Sequence, residues 1–261
     1  MEEEFIKEIK NEVPKLLPEV YKDLAKPAVQ EVGKVAGGTA KALLFPIRGM
    51  LWGWERIEKI VIEGVDKRLK DIPKEKQKSP DPEISVPLIQ ALSYTAQNET
   101  LREMYLNLLA NSMDSSKEKN VHPSFVELIK QMNSLDAKVF DKLVLNKGYT
   151  KVINPNIEIL PKKQFFINAT PEWLVGWTIE EYDIFDVSAS IVRLSKFGLI
   201  ELMFDRTADT DGYDNLKSNQ ELIHILNKYK SANPNLEIGI TATNSVLYVN
   251  EYGRQFENAC K

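Results

Sequence analysis

Between residues 84 and 146, apolar side chains recur at spacings of three and four, with capping residues at each break. That pattern commits the stretch to amphipathic helices and excludes an all-β fold. Ser85 or Pro87 opens a helix that runs through Tyr94, and Asn98 caps the next. There Leu101, Met104, Tyr105 and Leu108 line one face, with Leu109 beside them, which predicts a buried stripe. Ser124 and Glu127 have the spacing of a capping box. Asn133 or Ser134 caps a further helix carrying Leu135, Val139, Leu143 and Val144.

The flanking regions read differently. Residues 1–26 show the same periodicity, broken by Pro14 and Pro18, which predicts a kinked helix or two short ones. A second helical stretch runs from about Val29 to Arg68, interrupted near Gly37 and Gly38 and at Pro46. Residues 71–83 are charged and proline-rich, the composition of a linker or an extended crossing segment. Beyond Gly148 the character changes. Residues 187–197 form a short amphipathic helix stopped by Gly198, and 199–204 read as a strand. Residues 205–215 read as a loop and 216–230 as a helix. Two strand-like runs, 236–242 and 245–249, are separated by Thr243 and Asn244, which read as a turn. Residues 251–260 close with a helix. A helix, a strand, a wing-like hairpin and a closing helix in this order suggest a winged helix-turn-helix with a long wing insertion.

The net charge of −4 gives no global drive toward nucleic acid or anionic lipid. No secretory signal opens the sequence, so the cytoplasm is the expected compartment. The single cysteine, Cys260, permits no disulfide within one chain. Two distant histidines, His122 and His224, do not supply the closely spaced ligands of a zinc site. No glycine-rich phosphate loop with its Lys-Ser/Thr ending is present. Neither a cofactor nor a small-molecule substrate is therefore expected. Glu180, Glu181, Asp183 and Asp186 form an acidic cluster. A metal-dependent nuclease is one reading of it; a helix start that favours negative charge is the simpler one.

Residues 35–54, VAGGTAKALLFPIRGMLWGW, are apolar and glycine-rich, and they end in paired tryptophans. Five large apolar residues contribute about 0.5 kcal/mol each to membrane insertion, and Lys41 or Arg48 costs up to about 3 kcal/mol. A permanent transmembrane helix is not expected. Burial in the helical core is favoured. The alternative is a surface-lying helix that meets a membrane or partner through Leu44, Phe45, Ile47, Leu51, Trp52 and Trp54. For a DNA reader, the helix 187–197 offers only Arg193 and Lys196, directly after four acids, and that charge balance opposes phosphate contact.

The runs LLFPIRGMLWGWERIEKIVIEGVDKRLKDIP, SPDPEISVPLIQALSYTAQNETLREMYLNLLANSMD and VHPSFVELIKQMNSLDAKVFDKL resemble the bacterial abortive-infection alpha family, as does the terminal YGRQFENAC more loosely. The resemblance covers about residues 30–145 and places Glu103, Asn107, Asn111, Asp114, His122 and Pro123 in the matching motif. It implies a role in phage defence in which an infected cell is arrested or sacrificed. It carries no enzymatic activity or catalytic residue with it. Helix capping and packing account for those motif residues as well as function does.

The expected fold is mainly α: a helical domain over residues 1–147, then a winged-helix-like α+β domain over 148–261. The expected function is non-enzymatic phage defence through a protein partner or self-association, with a membrane surface as a conditional second contact. A DNA-binding regulator is the competing class.

Overall fold

The computed structural model describes Ala40, Leu44 and residues 54–160, 164–204, 206–208 and 212–261, with the main chain alone at 54–56. These residues are mainly helical and include one antiparallel sheet. They divide into two compact units. One ends at Gln131 and takes in Asn258–Lys261; the other is Met132–Glu257. The expected helices before residue 40 lie outside the described residues.

The first unit contains α1 (Trp54–Leu69), α2 (Pro82–Thr95), α3 (Glu99–Ser112) and α4 (Ser124–Gln131). Ile57, Val61, Val65 and Leu69 of α1 recur every four residues and are all buried, which is the one-faced stripe of an amphipathic helix. Gly64 lies between two of them. A β-carbon there would meet the Leu106 side chain at 2.5 Å, so glycine allows α1 to approach α3 closely. In α3 the predicted stripe is buried, and Leu106, Ala110, Asn111 and Ser112 are buried with it. This helix is therefore covered over more of its circumference than the stripe alone predicts. Asn98 caps it by accepting the Leu101 amide.

α2 starts earlier than its apolar pattern suggests. Asp81 is the N-cap, accepting from the Glu83 amide, and Pro82 takes the first helical position, where a missing N–H is harmless. Pro87 lies inside the helix. Between α1 and α2, a short 3-10 turn (Lys74–Lys76) leads into an isolated antiparallel bridge of Gln77 with Asp114. The Lys78 amide donates to the Met113 carbonyl and the Ser115 amide to the Lys76 carbonyl, each at 2.9 Å. The proline-rich stretch is thus a pinned crossing segment.

The second unit opens with α5 (Ser134–Leu145), whose N-cap Asn133 forms a reciprocal capping box with Asp136. It continues with β1 (Tyr149–Ile159), β2 (Gln164–Phe165), β3 (Leu174–Val175), α6 (Ile184–Lys196) and β4 (Ile200–Met203). Then come α7 (Tyr213–Lys217), α8 (Gln220–Ala232), β5 (Ile238–Val249) and most of α9 (Glu251–Cys260). The sheet order is β2-β1-β5-β4, with β3 also on β1, and every pairing is antiparallel. Gly198 ends α6 with a φ of +72°, the left-handed conformation that glycine adopts most readily.

Two expectations fail here. Thr243 and Asn244 form no turn. They lie inside the continuous strand β5, opposite Asn154 and Ile153 of β1. The expected hairpin of 236–242 against 245–249 is replaced by an eleven-residue ladder with β1, a strand hidden by its Asn154-Pro155-Asn156 centre. Proline is tolerated there because β3 pairs residues 152–153 and β2 pairs 158–159, leaving a gap between them. The Pro155 carbonyl accepts the Thr170 hydroxyl at 2.6 Å, so its polar edge faces that gap. β4 pairs antiparallel with β5, and their connection carries α7 and α8. On one face of the sheet, Ile153, Leu174, Ile184, Tyr213, Leu216 and Leu222 form a buried cluster.

Candidate functional site

Glu103, Asn107 and Asn111 recur every four residues along α3, which lines them up on one face. Arg68, near the end of α1, meets the first two. Its Nη2 donates to Glu103 Oε2 at 2.6 Å, its Nη1 to the Gly64 carbonyl at 2.7 Å, and its Nε to Asn107 Oδ1. The two asparagines then face the last turn of α9. Asn107 Nδ2 donates to the main-chain oxygens of Cys260 at 3.0 Å and Lys261 at 3.3 Å. Asn111 Nδ2 donates to those of Ala259 at 2.9 Å and Asn258 at 3.4 Å. Carbonyls of a last helical turn have no partner within their own helix, and here side-chain amides supply one. Lys117 Nζ donates to Asn111 Oδ1 at 2.9 Å. Each amide thus accepts from a cation and donates to the main chain, which neither a carboxylate nor an alanine can do.

Asp114 follows on the same segment. Its Oδ1 accepts from the Ser116 amide at 2.9 Å and hydroxyl at 2.6 Å. Burial works against its charge, but the two Ser116 hydrogen bonds, with Lys117 and Lys76 nearby, hold the carboxyl below its ordinary value of 3.8. A lowered folded-state value means that the charged form stabilises the fold above pH 3.8, and that this contribution disappears as pH falls through the folded-state value. Asp114→Asn is therefore expected to reduce stability at neutral pH and to flatten the acid limb of a pH-dependent urea titration. Parallel acid limbs for the two proteins would refute this role.

His122 and Pro123 build the entry to α4. His122 Nδ1 accepts the Ser124 amide at 3.1 Å and lies 2.7 Å from the Ser124 hydroxyl. The His122 carbonyl accepts the Phe125 amide and the Pro123 carbonyl the Val126 amide. The helix-entry reading of His122 holds. Between α3 and the end of α9, Tyr105 is fully buried, and its hydroxyl has no hydrogen-bond partner among the described residues. Burial, together with Glu127 and Cys260, pushes that phenol up. Burial also pushes the Cys260 thiol well above its ordinary value, away from the reactive thiolate.

The remaining candidates do not join this cluster. Arg193 faces Asp136 of α5: its Nε lies 2.9 Å from Oδ1 and its Nη2 2.8 Å. Ser190 Oγ donates to the same oxygen at 2.8 Å. Lys196 is exposed. In the acidic cluster, Asp183 caps α6 by accepting the Phe185 and Asp186 amides, and Asp186 closes the box. Helix capping thus accounts for those two acids. Among the described residues, no group of three or more His, Cys, Asp or Glu side chains is arranged to hold a metal.

Of the segment 35–54, Leu44 is buried. The main chain of Trp54 begins α1, while Phe45, Ile47, Leu51, Trp52 and the Trp54 side chain lie outside the described residues. Among the described residues no helix is long and apolar enough to cross a membrane.

The motif residues were found by resemblance, whereas Arg68 and Lys117 were not found at all. No local signal marks them, because their roles appear only when distant segments meet. Comparison with known proteins adds one finding: a family model described as abortive infection alpha matches residues 53–260. No curated protein and no solved structure matches. The match runs through residues 150–186, which the quoted motifs leave out, and it starts beyond most of the 35–54 segment. With most of its length covered, this chain belongs to the abortive infection alpha family.

Proposed function

We propose that this chain is a bacterial phage-defence protein that acts by abortive infection, through protein contacts rather than catalysis. The family match over residues 53–260 carries the reading. Its non-enzymatic part is supported by the roles of the motif residues. Asn107, Asn111 and His122 make main-chain hydrogen bonds at helix ends, and Glu103 holds Arg68. In this reading the chain is cytoplasmic and its partner is a second protein or a second copy. No cofactor takes part, and any membrane contact is peripheral. The second unit is a winged-helix-like module used for packing: α6 leads into β4, which pairs with β5 across a long insertion. The engagement of Arg193 by Asp136 supports packing over DNA reading.

The test is induced expression in a bacterial host challenged with a panel of phages. Plating efficiency, membrane potential and DNA integrity are followed together. Plaque numbers are expected to fall while DNA stays intact and infected cells stop growing. DNA degradation on induction would overturn the non-enzymatic reading. Unchanged plating across the panel would overturn the defence reading. The isolated question of DNA contact has its own expected result: fluorescence anisotropy of the full chain with random duplex at physiological salt shows no binding. Salt-sensitive affinity in the range of about 10⁻⁴–10⁻⁶ M, lost in Arg193→Ala/Lys196→Ala, would restore the regulator.

A further inference from the structure

One end of the sheet carries a cleft of about 450 Å³, lined by Tyr149, Met203, Arg206, Thr207, Val246 and Tyr248 among others. That volume falls within the range of small-molecule sites, about 300–1,000 Å³. Its floor is set by strand register. Tyr149 of β1 lies directly opposite Tyr248 of β5, and Met203 of β4 lies opposite Val246. The cross-strand pair places two phenol rings side by side on one face. The Tyr248 hydroxyl donates to Glu201 Oε2 at 2.7 Å, which fixes that ring and engages one oxygen of that carboxylate. Tyr149 is 49% exposed despite its size.

The wall is anchored as well. The Ala208 amide donates to the hydroxyl of buried Tyr213, which itself donates to the Ser245 carbonyl at 2.9 Å. Two residues before Ala208, Arg206 is exposed at the rim, with no hydrogen bond or ion pair among the described residues. A pre-formed apolar floor with two aromatic rings, and beside it a guanidinium that makes no hydrogen bond or ion pair among the described residues, suits a particular chemistry. We propose that this cleft binds a small planar aromatic anion, its ring against Tyr149 and Tyr248 and its negative group on Arg206. Aromatic stacking and a charge-assisted contact then act together, and Arg206 distinguishes the anion from a neutral ring of the same shape.

Fluorescence titration of the full chain with anilinonaphthalene sulfonate and with its neutral counterpart phenylnaphthylamine tests this. The sulfonate is expected to bind saturably and one-to-one, more tightly than the neutral probe. Arg206→Ala should weaken the sulfonate about tenfold, as expected for loss of one charge-assisted contact, and leave the neutral probe unchanged. Tyr149→Ala should weaken both. Both positions are exposed, and thermal unfolding of each variant confirms that the fold is kept. Equal affinity for the two probes would overturn the proposal, as would sulfonate binding that neither variant changes. Probe fluorescence that instead tracks self-association in sedimentation would assign the cleft to a second copy and overturn it too.

Discussion

Asp136→Ala is expected to destabilise the protein by about 2–3 kcal/mol, below the range for a fully buried ion pair because the arginine left behind, Arg193, keeps 36% of its side chain exposed to water. The carboxylate is fully buried and accepts from four donors: the Ser190 hydroxyl, the Arg193 Nε and Nη2, and the Asn133 amide. Alanine removes the acceptor of all four, of which the half-buried Arg193 can turn to water, and it removes half of the α5 capping box. Urea titration of the full chain measures the loss, and a change below about 1 kcal/mol would mean that solvent replaces the carboxylate freely. Arg193→Ala should also destabilise, because it strands a buried carboxylate. The double variant should lose less than the sum of the two. A free DNA-contacting arginine makes the opposite prediction, with Arg193→Ala leaving stability unchanged.

Gly253→Ala is expected to cost about 3 kcal/mol, the upper end of the usual range for overpacking. A β-carbon at this position would lie 2.1 Å from the Leu199 carbonyl oxygen and 2.7 Å from Val249 Cγ1. A side chain can swing aside, but the Leu199 carbonyl is held by the Asn250 and Gly253 end of α9. It accepts the Asn250 amide, and the Asn250 side chain in turn accepts the Gly253 amide. Helix propensity alone predicts the opposite sign, since alanine in place of glycine favours a helix by about 1 kcal/mol. The sign of the change in thermal stability therefore decides whether close approach or propensity governs position 253. A more stable variant would dismiss the contact.

What could be read from the chain and what could not divide along physical lines. Asn98, Asn133 and Gly198 were legible because a cap or a stop acts within a few residues of itself. The terminal helix was legible as well. β1 was not. Its Asn-Pro-Asn centre has turn chemistry, and only the gap between two short partner strands makes it a strand. Thr243 and Asn244 misled in the same way, since a local turn competes with eleven distant pairings that no window contains. In the motif cluster, Asn107 and Asn111 stood out by resemblance. Their purpose depends on Arg68, Lys117 and the oxygens of residues 258–261, so spacing within α3 could not reveal it.

The ladder between β1 and β5 also sets a timetable. Tyr149 waits for Tyr248, and Asn107 waits for Cys260. Contacts so far apart in sequence require closure of large loops before they stabilise anything, which slows folding. During synthesis the ribosome releases α1 to α4 and the front half of the sheet well before their partners exist. Unpaired β1 and the bare amides of α3 must then persist until residues 238–261 emerge. Nascent chains stalled before residue 238 should accordingly be protease-sensitive throughout residues 149–159, and release of the remaining segment should close both units within one late phase.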